Sequence, residues 1–270
     1  MQKNWEKFES DCVKHLTGRY GKYAQFYGKG GCDSTVSDIE VVGSSGKSFY
    51  IEAKCCPAQC GQFVLLPDIG KGEFVYSNKN ATPINGYSKA IMEHMNKSFD
   101  LYKEAGTRGV SIEFENSSEI FACWVKELYK SKSAEFFISN GFKLFRTDDI
   151  GYAFQFSAMY RTKRSGSNDV GYGRMRGVCN YLEKRFPSLD VYDVREKLFA
   201  RTDAEMHNRR FVLDGTEYMF SKRGDAYEIR RLSNTFNANV IFSIQEKPVN
   251  TENGKRTPVS DSEFISRLLR

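Results

Sequence analysis

The stretch VSDIEVVGSSGKSFYIEAK, Val36–Lys54, decides how the chain is read. Two β-rich runs, VSDIEVV and KSFYIEAK, flank Gly43-Ser44-Ser45-Gly46, a pattern that predicts a β-hairpin. If Ser44, Ser45 and Gly46 form a three-residue loop with Gly46 in the left-handed position of a G1 bulge, Gly43 pairs with Lys47 and Asp38 falls opposite Glu52. Directly opposed residues share a face with Cβ atoms roughly 4.5–5.5 Å apart, so both carboxylates can grip one ion. A two-residue loop would send them to opposite faces. Lys54, two residues beyond Glu52, shares its face, where an ammonium can orient a water and contact an anion.

Outward from this hairpin, the 270-residue chain is 40% hydrophobic and 27% charged, an ordinary soluble composition with room for one large domain or two to three small ones. The net charge of +6 fits a partner carrying phosphates without requiring one. No run approaches the roughly 18 apolar residues of a membrane span, and MQKNWEKFESDC lacks a hydrophobic signal core, so a cytoplasmic protein is expected. The cysteines number seven, with no CxxC pair, which argues for reduced thiols; Cys55, Cys56 and Cys60 lack the fourth ligand that a structural zinc needs. With only His15, His94 and His207 present, a histidine-based hydrolase is hard to assemble, and chemistry must rest on carboxylates and lysine.

Along the chain, Trp5, Phe8, Cys12, Val13 and Leu16 recur at helical steps, and a Gly-rich run from Gly18 to Gly31 reads as loop. CGQFVLLPD reads as a strand, and residues 86 to 105 read as one helix. A boundary falls near residue 115; beyond it FACWVKELYK reads as a helix and AEFFIS, FKLFR and AFQFSAMYR as a second sheet, which AYEIRRL and ANVIFSI return to complete. Residues 165 to 177 read as a Gly- and Ser-rich loop, CNYLEKRF as a helix, and FISRLL as a last apolar turn.

Phosphodiester hydrolysis needs a divalent cation to offset charge and activate water, and oxygen-donor carboxylates are what hold magnesium. Asp38 and Glu52 are the candidate metal ligands, joined by the Ala53 carbonyl. On the spacing Asp-x(13)-Glu-x-Lys alone, a solvated edge hairpin with a cross-strand ion pair is the commoner explanation. Two acids crowded opposite each other cost repulsion, however, and Phe49-Tyr50-Ile51 belongs to a core strand. A helix, an acid-bearing hairpin and a further helix also resemble the PD-(D/E)xK nuclease core, an α/β (α+β) fold with a mixed sheet, with Ser37 where that family often has Pro.

The segments NWEKFE, DSTVSDI, FYIEAK, QCGQFVLLP, YKSKS, YRTKRSGS and LSNTFNANVIFSI look like type II restriction endonucleases of that superfamily. The resemblance implies magnesium-dependent cleavage of duplex DNA at GCGC, with Mn2+ able to substitute, by a monomer paired in its host with a cognate DNA methyltransferase. It implies three units: catalytic (1–115), sequence-recognition (116–167 and 226–250) and accessory DNA-binding (168–225). Glu9 in NWEKFE becomes a candidate outer metal or water-holding carboxylate, although a solvated helix residue explains it equally. Gln59 and Gln62 can reach phosphate or water, or form an ordinary polar turn. A repair or junction nuclease of the same superfamily and a noncatalytic DNA-binding protein of the same fold are the alternative readings.

From Arg161 to Arg176, Arg161, Lys163, Arg164, Arg174 and Arg176 stand against one acid, Asp169. Guanine O6 and N7 are read by Arg or Lys with Ser and Asn in support, making Arg161, Lys163, Arg164 and Ser165 candidates for bases; a basic loop touching only phosphates is the rival. Asn234, Asn237 and Asn239 can reach base edges or cap turns.

Overall fold

A computed structural model describes residues 4–29, 36–164, 166–233, 236–247 and 258–270. Helix α1, Asn4–Tyr20, buries Cys12, Leu16 and Tyr20 at four-residue steps along one stripe. Phe8 and Val13 pack partly against the same core, whereas Trp5, expected within the stripe, is exposed and lines a surface cleft at the helix start. Strand β1, Ala24–Gly28, lies inside the Gly-rich run expected to be loop; Ala24 and Phe26 turn inward while Gln25 and Tyr27 stay outside.

Strands β2, Ile39–Gly43, and β3, Ser48–Ala53, form the hairpin. Ile39 pairs with Ile51 and Val42 with Ser48, and the Gly43 N–H donates to the Lys47 carbonyl at 3.0 Å. Gly46 takes φ +79°, so the connection is the three-residue form, and the register continues to set Asp38 opposite Glu52.

The chain continues through β4 (Ala58–Asp68), β5 (Glu73–Tyr76), α2 (Gly86–Lys97), α3 (Phe99–Lys103), β6 (Val110–Ile112), α4 (Ser117–Ser131), β7 (Ala134–Ser139), β8 (Lys143–Arg146), α5 (Ile150–Ala153) and β9 (Phe154–Arg164). There follow β10 (Ser167–Asp169), α6 (Tyr172–Arg185), β11 (Asp190–Val194), β12 (Lys197–Arg201), β13 (Arg210–Leu213), β14 (Thr216–Arg223) and β15 (Ala226–Leu232), then β16 (Phe236–Glu246) and α7 (Asp261–Leu268). The helix expected over 86 to 105 is interrupted at Ser98, which caps α2 and opens α3.

Two compact units result: Met1–Arg161 with Ala238–Arg270, and Thr162–Asn237. In the first, one sheet has the order β1-β2-β3-β7-β8 and another β5-β4-β16-β9-β6. β7 runs parallel to β3, with Phe137 beside Glu52. β7 and β8 thus belong to the hairpin's sheet rather than to a second sheet beyond residue 115; a parallel pairing across the intervening chain has no local turn to announce it. α1 and α7 pack on one face of this sheet through Leu16, Phe264 and Leu268. α4 packs on the other and also meets the second sheet: Trp124 stacks on Phe242 of β16 with ring centroids 4.4 Å apart, and Tyr129 sets its ring edge-on to Phe137 at 4.8 Å. One core therefore runs across the expected boundary at 115.

In the second unit the sheet order is β11-β12-β15-β14-β13, with β10 also paired to β15. Val178 and Leu182 of α6 pack with Tyr218, Phe220 and Ile229. Asp214 and Gly215, both at positive φ, make the two-residue turn between β13 and β14. β15, expected in the recognition segment, is central here, so this unit reaches beyond the expected 168–225; β16 alone of the two returning strands joins the second sheet. Among the described residues no helix is long and apolar enough to cross a membrane.

Gly46→Ala forces a Cβ into the left-handed region with open space around it, so the cost is backbone strain alone. Urea unfolding is expected to show a loss of about 1–2 kcal/mol with an unchanged m value.

Candidate active site

Asp38 enters β2 and Lys54 leaves β3, so the hairpin register and the two-residue period turn Asp38, Glu52 and Lys54 to the face opposite Ile39, Val41, Phe49 and Ile51. The Lys54 ammonium makes an ion pair with Glu52 Oε1 and lies 3.6 Å from Asp38 Oδ2. The Ala53 N–H donates to Asp38 Oδ2 at 2.9 Å, fixing that carboxylate from the backbone of the opposing strand. Glu52 is 4% exposed, and among the described residues its buried Oε2 has no hydrogen-bond partner.

Burial, then the charge of Glu52, raises the Asp38 carboxyl to about 6, against the pull of Lys54 and the Ala53 N–H. Burial alone would discharge Lys54, but Glu52 and Asp38 outweigh it and hold the ammonium above its ordinary value. Glu9 reaches the same corner from α1 and lines one cleft with Trp5 and Asp38. Burial, then Asp38, pushes its carboxyl up to about 7. Among the described residues no three His, Cys, Asp or Glu side chains gather tightly enough to hold a metal by themselves, so Glu9 stands outside the Asp38–Glu52 pair.

Tyr129, which spacing alone leaves as one more apolar position of α4, is buried beneath this cluster with Lys54 Nζ 5.9 Å from its ring centroid. Burial first, then Glu52, raises its hydroxyl well above the ordinary value, so it remains a protonated donor. The only sequence signal for it is a polar-tipped aromatic ending the stripe Phe121, Trp124 and Val125.

Gln62 is exposed on β4, in the other sheet, where it accepts a hydrogen bond from Gln59 Nε2 at 3.1 Å. Arg161 is half-buried and Lys163 exposed on β9; Arg164 ends that strand, and Ser165 lies outside the described residues, as does Asn234. The expected loop over 165 to 177 holds β10 and the first turns of α6, which begins after Gly171 at φ +83°. Arg174 and Arg176 are exposed on that helix two positions apart, hence on different sides of it, not along one groove-following loop. Asp169 is engaged by Arg230. Asn237 is exposed on β16 and Asn239 is buried.

No protein-family model matches the chain, and a comparison with curated proteins finds no match. Among solved structures, HhaI endonuclease in complex with DNA superposes with a TM-score of 0.76 at 38% identity, over 93% of this chain and 94% of that one. The chain belongs to the HhaI family of restriction endonucleases. It is a type II site-specific endonuclease with the mixed α/β fold that HhaI shares. That likeness spans both compact units of the HhaI-like chain.

The Asp38 shift carries a sign. Its carboxyl is raised above the unfolded value, so the neutral form stabilises the fold at low pH, and that stability is lost as pH rises from about 4 through about 6. In EDTA, Asp38→Asn is expected to be more stable than the parent at pH 8 by roughly 3 kcal/mol, the energy of a shift from 3.8 to about 6, with the gap closing toward pH 4. Urea melts across that range check it.

Proposed function

We propose that this endonuclease cleaves duplex DNA at GCGC by divalent-cation-dependent phosphodiester hydrolysis, with Asp38, Glu52 and Lys54 carrying the chemistry. The observation that supports it most is the buried, unpartnered Glu52 Oε2 beside Asp38, with a single ammonium between the two acids. Uncompensated carboxylate oxygen away from water is costly unless a cation meets it. Two carboxylates with the Ala53 carbonyl are a hard-oxygen set suited to Mg2+, and to Mn2+ in its place. When bound, such an ion supplies positive charge to the scissile phosphate and lowers the pKa of a water.

The chain's own groups do the rest. Lys54 is held protonated, so it acts as fixed positive charge facing the phosphate rather than as a base. Glu9, with its carboxyl near 7, is set to hold the attacking water and accept its proton near neutral pH. Duplex DNA as substrate is supported by the DNA complex of the similar HhaI endonuclease. Arg161, Lys163, Arg164 and Ser165 remain the candidates for reading guanines, with Arg176 and Asn237 as further contacts. A monomer cutting one strand at a time, in a host protected by a cognate methyltransferase, completes the reading.

Incubating a plasmid with the protein and Mg2+ and sequencing the fragment ends tests the whole proposal. Every end is expected within GCGC, cutting should stop in EDTA, and Asp38→Ala should be inactive. Lys54→Ala is expected to lower kcat by roughly 10²–10⁴-fold. Ends scattered without a common site, or undiminished cutting by folded Asp38→Ala protein, would refute it.

A further inference from the structure

In the second unit the two neighbouring arginines of β15 are treated in opposite ways. Arg230 is matched: its guanidinium meets Asp169 and Glu228 and donates to the Ser167 carbonyl at 2.7 Å. Arg231 turns to the other face, continuing the row Tyr227 and Ile229 that packs with α6. It is half-buried, and no carboxylate or other acceptor meets its side chain among the described residues. A second guanidinium, Arg174 on the first turn of α6, is likewise unmatched and faces the same cleft of about 230 Å3. The remaining lining residues are Asn168, which pairs with Arg231 across β10, together with Thr216, Leu232 and Ser233.

Among the described residues no acid lines this cleft, so two positive charges border it together with only neutral groups. Like charges held close repel, and a half-buried cation without a partner loses hydration without return. An anion resolves both costs. The flat forks of two arginines suit the tetrahedral oxygens of a phosphate, and the Asn168 amide and Thr216 hydroxyl add donors of the kind that contact DNA backbones.

We propose that this cleft seats one backbone phosphate of the duplex, held jointly by Arg174 and Arg231 with Asn168 and Thr216 completing the donor set. The proposal rests on the reading that the chain binds duplex DNA, and it assigns to Arg231, Asn168 and Thr216 a contact that fixes the position of the DNA without reading its sequence.

The test measures affinity in EDTA, over a range of salt, for two duplexes of equal length, one with GCGC and one without. Each neutralised phosphate contributes about 0.9 to the slope of log affinity against log salt. Because one phosphate is shared, the Arg174→Gln/Arg231→Gln double variant is expected to flatten the slope by about 0.9 in total, equally on both duplexes. Arg231→Lys should keep the parent slope, and so should Arg201→Gln, whose lost charge is already paired with Asp225 at 3.2 Å. If Arg231→Gln proves unfolded, Arg174→Gln at its exposed helical position carries the test, with an equal loss of affinity on both duplexes expected. An unchanged slope overturns the seat, as does flattening by about 1.8, which means two separate phosphates, or a loss confined to the GCGC duplex, which means base reading. Equal flattening by Arg201→Gln overturns it too. If the unmutated protein binds neither duplex, the DNA-binding reading itself falls; if it binds both and the variants match it, only the seat does.

Discussion

Lys54 is what allows two carboxylates to stand opposite each other inside a protein. Its ammonium meets Glu52 and lies 3.6 Å from Asp38, and both acids are largely shielded from water. Taking the cation away would leave charge uncompensated where it is most expensive, while leaving it in place still falls one positive charge short. The raised carboxyls of Asp38 and Glu9 and the orphaned Glu52 oxygen express the same deficit. Stability is given up here because positive charge is in short supply.

That arrangement is held by packing more than by charge. The register that opposes the acids comes from the Gly43–Lys47 closure, and the floor of the site comes from α4. Because Trp124 of that helix is stacked in the second sheet and Tyr129 is locked against Phe137, the helix cannot shift toward one sheet without leaving the other. Glu52 lies on β3 itself, and Asp38 and Lys54 stand one residue outside β2 and β3, so the sheet holds all three close to fixed positions.

What the sequence discloses follows the range of the forces involved. The hairpin and the opposition of Asp38 to Glu52 are legible because a loop length and one glycine at Gly46 determine them locally. The position of β7 beside β3 is not, since parallel pairing is settled by distant chain, and the same reason hides Tyr129 among the apolar residues of α4. Arg174 reads as loop because Gly171 and Gly173 surround it, yet Gly171 serves only to turn the chain into α6. Gln62 follows Lys54 closely in sequence, and the strand that carries it, β4, pairs in the other sheet.

The unit that carries the acid-bearing hairpin is discontinuous, with Thr162–Asn237 interposed between its two segments. The second unit has a core of its own, drawn from contiguous residues. The hairpin's sheet must wait for α7 to cover Phe49 and Phe136, and its neighbour must wait for β16 to enter between β4 and β9. As the chain emerges from a ribosome, then, the interposed unit can fold while the hairpin's sheet is still open, and that sheet is completed only after synthesis has passed the residues that fold early. Topology itself thus sets which of the two units can close first.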